Sequence, residues 1–218
     1  FAQHLKYYLD KTHAGTYLIV FSDMLNFRKQ IDDSYKSYRK SIRKPVCYKK
    51  LRDWLMKTYP CKSLPNLEAD DTIGILATGE YKDKCVIISG DKDMRTIPAW
   101  HCSIIDNQIE KVDLKLADYH FCTQVLTGDQ TDGYKGCIGV GHVKASRVLN
   151  PKKDIDVNWK AVIEEYLRNK MTVDDAYHQS RLARILRHGE YNIKTKKPKL
   201  WSYKYGQYKN TGTNQKAS

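Results

Sequence analysis

The chain has 218 residues, 41% of them hydrophobic and spread along its length, enough for one domain, or one domain with a small appendage, and an ample core. Its formal net charge of +13 calls for an anionic partner, and no apolar run approaches the ~18 residues of a membrane span. Seven scattered histidines and six cysteines without a Cys-x-x-Cys pair argue against zinc and for reduced thiols in an intracellular protein.

Phe1, Leu5, Tyr8 and Leu9 recur at helical spacing and predict a helix over residues 1–12, ended by Gly15. Thr16–Ser22 is rich in aromatic and β-branched residues and reads as a buried strand, with Asp23 directly after it. Residues 24–44 interleave Phe27, Tyr35 and Tyr38 with Arg28, Lys29, Lys36, Arg39, Lys40, Arg43 and Lys44, as far as Pro45. An amphipathic helix is expected over 46–58, and another over 68–79 with its acids in the first turn and Gly79 at its end. Lys84–Ser89 and His101–Ile105 read as two further strands, so strands and helices alternate as in an α/β core with a parallel sheet. Beyond residue 113 the chain reads as helical, at 119–126, 142–149, 158–169 and 173–188, with a glycine-rich turn region over 128–141. The stretch 206–218 is polar and expected to be disordered.

Charge is unevenly placed. Residues 24–62 hold 12 Lys/Arg against 3 Asp/Glu, and 192–218 hold 7 Lys and no acid, so two basic arms flank a slightly acidic middle. Within that middle, carboxylates form three tight groups: Glu68-Ala69-Asp70-Asp71, Asp91-Lys92-Asp93 and Asp129-Gln130-Thr131-Asp132. Two carboxylates about 4 Å apart repel by roughly 1 kcal/mol in water and about 4 kcal/mol at an effective dielectric of 20. If the fold gathers these groups, a divalent metal held by hard oxygen ligands is the ordinary solution. A basic chain with such a centre points to phosphodiester chemistry on nucleic acid.

Each feature also has a plainer explanation. Asp23 and Asp91 both follow strands and would share one edge of a parallel sheet, yet Asp is common in turns. Acids in a first helical turn stabilise the macrodipole by roughly 0.3–1 kcal/mol each, although three in four positions begin to repel. Gly139-Val140-Gly141-His142-Val143-Lys144 is a Gly-x-Gly turn leading into a helix, a weak phosphate signal without context. Lysine runs are usually solvated faces; here the interleaved aromatics favour nucleic acid. Trp201, Tyr203, Tyr205 and Tyr208 could stack on bases or fill a core.

Taken together and in order, these motifs resemble the flap endonuclease and 5′→3′ exonuclease family. They are Asp23 after a strand, Tyr35-Lys36-x-x-Arg39, Glu68-Ala69-Asp70-Asp71, Ser89-Gly90-Asp91-Lys92-Asp93, and Gly128-Asp129-x-x-Asp132-Gly133 with the Gly139-x-Gly141 turn. The likeness is greatest to the stand-alone exonuclease of short-tailed lytic bacteriophages. It extends to Asn26-Phe27-Arg28-Lys29 and Ala183-Arg184-Ile185-Leu186-Arg187 and spans roughly residues 16–201. The resemblance implies a PIN-like 5′-nuclease fold, with a mostly parallel sheet flanked by helices and a basic helical arch over 24–46. It divides the chain into a nuclease core (1–112), a helical region with a helix-hairpin-helix turn (113–191) and a basic tail (192–218).

The resemblance further implies metal-dependent hydrolysis at the 5′ ends of duplex DNA, at flaps or nicks, and of RNA in RNA–DNA hybrids, by a monomer in the cytoplasm of a phage-infected host. Asp23, Glu68, Asp70 and Asp71 would serve one Mg²⁺, and Asp91, Asp93, Asp129 and Asp132 a second, with Mn²⁺ as substitute. Asp23, Asp70, Asp91, Lys36 and Arg39 would be catalytic. Arg28, Lys36, Arg39, Gly139, Gly141, His142 and Lys144 would hold nucleic acid, with K⁺ at main-chain carbonyls of the turn.

The family begins with a strand ending in another metal-binding Asp, which has no counterpart here. The chain therefore reads as N-terminally truncated and is expected to be weak or inactive alone; turnover of 5′-labelled duplex by the 218-residue piece tests that. The competing enzyme is a PIN-type ribonuclease, which usually has fewer acids and lacks the glycine turn. A catalytically incomplete DNA-binding fragment and a metal-dependent phosphatase also compete with the nuclease reading.

Overall fold

The computed structural model describes residues 1–38, 43 and 45–203. Helix α1 (Ala2–Thr12) forms where its periodicity predicts and closes at His13 in a left-handed conformation. Among the described residues the strands form two small open sheets and a terminal hairpin. Strand β1 (Ile19–Val20) pairs in parallel with β2 (Cys61–Lys62). Strand β3 (Val86–Ser89) pairs in parallel with β4 (Ala99–Ser103), whose other edge takes β5 (Ile109–Val112) antiparallel. The α/β reading holds. Strand β1 is shorter than the Thr16–Ser22 run, and β2 and β5 are too short and too polar to have signalled themselves.

Helices α2 (Arg28–Ile31) and α3 (Tyr48–Thr58) connect β1 to β2, α4 (Ala69–Ala77) connects β2 to β3, and a 3₁₀ helix at Lys92–Thr96 follows β3. Helix α4 starts with a reciprocal capping box, in which Glu68 and Asp71 each accept from the other's end of the first turn. Four helices follow: α5 (Leu114–Thr127), α6 (His142–Val148), α7 (Ile155–Arg168) and α8 (Val173–Ala183). The largest core lies among them, around Phe121, Trp159, Val162, Tyr166 and Leu182. No helix among the described residues is long and apolar enough to cross a membrane.

Two expectations change. The helix expected to reach 188 stops at Ala183, and residues 184–187 run extended because four other elements use them. The Arg184 carbonyl accepts from Arg28, the Leu186 N–H donates to Asp71, and Arg187 donates to Thr96 O and pairs with Asp118. Ile185 and Leu186 fill the two smaller cores. In the tail, strands β6 (Tyr191–Asn192) and β7 (Lys197–Pro198) form a hairpin, after which Trp201 stacks on both Phe121 and Trp159 at 5.2 Å. Trp201 and Tyr203 are core packing, whereas Tyr205 and Tyr208 lie outside the described residues.

Candidate active site

Glu68, the N-cap of α4, is the best-connected acid. Its Oε1 pairs with the Lys36 ammonium at 2.7 Å, and its Oε2 accepts from the Tyr35 hydroxyl at 2.9 Å and from Arg28 at 3.2 Å. Burial alone would raise its pKa, but the Arg28 and Lys36 charges and these hydrogen bonds hold the carboxyl below its ordinary value. For Asp70 the counterweight is too small. Burial pushes its carboxyl up to about 7, with Glu68, Asp71 and Asp91 adding to the shift and Lys36 opposing it.

The second set forms around the 3₁₀ helix, which lies against α5. Asp91 caps that helix by accepting from Asp93 N–H at 2.9 Å. Asp129 and Asp132 come from the turn after α5, which Asp129 organises by accepting from the N–H groups of Thr131 and Asp132. Gly128 and Gly136, both near φ +68°, close this turn back to back: a Cβ on Gly136 would stand 2.2 Å from Gly128 N. Burial pushes the Asp93 carboxyl up to about 6, and Asp91, Asp129 and Asp132 add to the shift. Asp93 Oδ1 is buried without a hydrogen-bond partner among the described residues.

Tyr35 and Lys36 join the two sets. The Tyr35 hydroxyl lies 2.9 Å from both Glu68 Oε2 and Asp132 Oδ2, and the Lys36 ammonium sits 2.7 Å from Glu68 and 3.2 Å from Asp132. Lys36, in a left-handed conformation, also donates its backbone N–H to Asp132 O at 2.8 Å. The sequence places Tyr35 in a basic aromatic segment with a nucleic-acid role and in the Tyr35-Lys36-x-x-Arg39 motif. It is in fact buried, with its hydroxyl between carboxylates.

Among the described residues no three Asp, Glu, His or Cys side chains close on one point as a metal shell. The chemistry of the set nevertheless fits divalent cations. Six carboxylates from three chain segments approach, two have pKa values raised by burial and by their acidic neighbours, and one buried oxygen is left unpartnered.

Two expected site residues do not face this centre. Asp71 is fully buried, and both its oxygens are engaged by Arg28, at 2.7 and 2.8 Å, with Leu186 N–H at 3.1 Å on one of them. Arg28 is 3% exposed, and its remaining N–H groups go to the carbonyls of Leu182 and Arg184 and to Glu68. The expected metal ligand Asp71 and the expected DNA contact Arg28 thus form an internal ion pair, because both are buried and the remaining polar groups around them are already engaged. Asp23 sits beside the first turn of α4, where Ser22 Oγ accepts from Ala69 N–H, and its own Oδ2 accepts from Asn66 N–H at 2.7 Å. Arg39 lies outside the described residues.

The expected nucleic-acid turn ends the same connector that carries Asp129 and Asp132. Gly139, Gly141 and His142 are exposed. Lys144 is held at 2.7 Å by the buried Glu165.

Residues 1–124 match the family model described as "5'-3' exonuclease, N-terminal resolvase-like domain". The chain is 31% identical over 229 residues to the exonuclease of Escherichia phage T7, covering 88% of this chain and 75% of that protein. It is 30% identical over 221 residues to the exodeoxyribonuclease of Enterobacteria phage T3, covering 85% and 72%. In fold it is similar to the flap endonuclease of bacteriophage T5, solved as a pseudo-enzyme-product complex with DNA and metal ions (TM-score 0.54, 18% identity, 83% of this chain and 82% of that one). It is also similar to the T5 5′-exonuclease with bound divalent zinc (TM-score 0.52, 14% identity, 84% and 90%). With more than half its length matching the family model and its motifs in the family's order, the chain belongs to the 5′–3′ exonuclease family and is a nuclease.

Proposed function

We propose that this nuclease hydrolyses phosphodiester bonds at the 5′ ends of duplex DNA, as an exonuclease and at flaps, during phage DNA replication or host DNA breakdown in the host cytoplasm. The observation that carries this reading is the approach of Glu68, Asp70, Asp91, Asp93, Asp129 and Asp132 from three segments, bridged by Tyr35 and Lys36. Glu68 and Asp70, with Asp23 beside them, would hold one divalent ion, and Asp91, Asp93, Asp129 and Asp132 a second, with Mg²⁺ the expected metal and Mn²⁺ its substitute. When bound, such ions lower the pKa of water toward neutrality and stabilise the leaving oxygen.

The chain's own groups do the rest. Lys36, the cation between Glu68 and Asp132, is placed to meet the scissile phosphate once those carboxylates are neutralised. The turn at Gly139 and Gly141, with Lys144, would grip the duplex backbone away from the break. We read the same site as accepting RNA in RNA–DNA hybrids, the chain as a monomer, and residues 1–112, 113–191 and 192–218 as core, grip and tail.

Product analysis on 5′-labelled flap, nicked and blunt duplexes, using the full-length protein, tests this. Asp132→Ala and Asp91→Ala are expected to abolish cleavage while duplex binding stays measurable, and EDTA to stop the parent. Full cleavage by either variant would reject the reading.

A further inference from the structure

Glu165 is an acid that the cleavage site does not use. It lies on α7 with 0% of its surface exposed, beneath the glycine turn. A buried carboxylate is costly unless paired, and this one is paired on both oxygens. Its Oε1 takes the Lys144 ammonium at 2.7 Å and the Asn169 amide at 2.8 Å, and its Oε2 takes the Arg168 guanidinium. Asn169 also accepts from Lys144 at 3.4 Å, and its Oδ1 lies 4.0 Å from where a Gly139 Cβ would stand. The Glu165 carbonyl receives the Asn169 amide at 2.7 Å and the Cys137 thiol at 3.8 Å, so the same residue fixes the floor of the turn. Lys144 and Arg168 keep 41% and 65% of their side chains exposed, so their outer faces remain open to an anion.

We infer that Glu165, with Asn169, is a positioning residue for duplex backbone: it clamps Lys144 and Arg168 side by side next to Gly139 and Gly141, as a prearranged two-cation seat for a phosphodiester. This rests on the reading of the turn as a duplex grip. The physical gain is preorganisation. A free lysine must lose rotamer freedom on meeting a phosphate, whereas Lys144 is already ordered by a carboxylate too deep to compete at the surface.

The sign of a charge-neutralising substitution separates positioning from plain charge. A carboxylate near a phosphate repels it, so Glu165→Gln should tighten binding if charge alone matters. Positioning predicts the reverse. Affinity for a short blunt duplex is measured by fluorescence anisotropy in EDTA, where no cleavage occurs, across a salt series. Lys144→Ala should weaken binding and reduce the slope of log K against log salt by about 0.9. Glu165→Gln should weaken binding at least about threefold, with a shallower slope, and lose less in the Lys144→Ala background, where only Arg168 is left to be released.

Equal or tighter binding by Glu165→Gln, or penalties that add in full so that Glu165 shows no coupling to Lys144, would overturn the inference and leave the grip intact. Unchanged affinity and slope in Lys144→Ala would overturn the grip and the inference with it. If Glu165→Gln loses its cooperative melt, Asn169→Ala decides: it keeps both cations paired with Glu165 but removes the amide, and should bind more weakly. Unchanged binding in that variant overturns the proposal.

Discussion

At the scale of single residues, the site is defined by repulsion restrained rather than removed. Asp70 and Asp93 have folded-state pKa values of about 7 and about 6, above the ~3.9 of a free Asp. A raised pKa means that the native state binds protons more tightly than the unfolded chain. The associated stability is therefore present below pH ~4 and lost as the pH rises through 6–7. In EDTA, Asp70→Asn should melt higher than the parent at pH 8, with the advantage shrinking toward pH 5. Each kcal/mol of relieved repulsion corresponds to about 2–4 °C for a chain of this size. Added Mg²⁺ should reverse the order, since Asn cannot replace the lost charge. A melting-temperature difference independent of pH would show that Asp70 is not under this pressure.

Tyr35 acts at the same scale. Its one hydroxyl proton serves two carboxylates, so Tyr35→Phe leaves Glu68 and Asp132 facing each other with only Lys36 between them. A hydrogen bond to a charged group is worth about 1.5–3 kcal/mol, so stability to denaturant in EDTA should fall by about that much, and added Mg²⁺ should recover part of the loss. Which acids belong together was legible from their grouping in a basic chain. That Tyr35 would join them was not, because an aromatic beside a lysine also suits stacking on bases or a core.

At the scale of elements, the extended segment after α8 holds the active-site helices in register. Residues 184–187 reach α2 through Arg28, α4 through Asp71, the 3₁₀ helix through Thr96 and α5 through Asp118. Helix α4 comes so close to this segment that only glycine fits at 74, where a Cβ would stand 2.3 Å from Leu186 O. Breaking a buried ion pair by removing one partner costs about 3–5 kcal/mol, so Arg28→Met and Asp71→Asn should each lower the melting temperature by roughly 6–20 °C. Activity per folded molecule should fall less for Asp71→Asn than for Asp132→Ala. An Asp71→Asn protein of parental stability but without cleavage would return Asp71 to the metal. The sequence placed Asp71 and Arg28 in functional motifs, and nothing local to either distinguishes a ligand from its support. Only partners distant in sequence do that, Arg28 and Asp71 for each other and Leu186, 115 residues from Asp71.

At the scale of the whole molecule, the basic tail is partly a structural strap. Trp201 lies against Phe121 and Trp159, with the Arg184 guanidinium over its ring at 5.7 Å. The tail thus rests on the same arginine whose carbonyl receives Arg28. Trp201→Ala should cost about 3–5 kcal/mol, measured by denaturant unfolding, and Lys194→Ala on the exposed hairpin should cost almost nothing. If Trp201→Ala changed duplex affinity alone and left stability intact, the base-stacking role would be restored.

The sequence by itself determined the alternation of helices and strands, the basic arms, the acids and their order, and through that order the family. These are properties of spacing and composition, which the chain carries before it folds. Tertiary structure alone decided how the acids divide between site and support. Asp71 turns inward because Arg28 and Leu186 meet it there. Asp70 and Asp93 remain under charge pressure because burial and their acidic neighbours outweigh the nearby Lys36 and Lys92 charges. Tyr35 joins the two sets because the turn at Asp132 closes against it. A carboxylate's role is set by burial and by which charge it meets, and both arise from residues far away in the sequence.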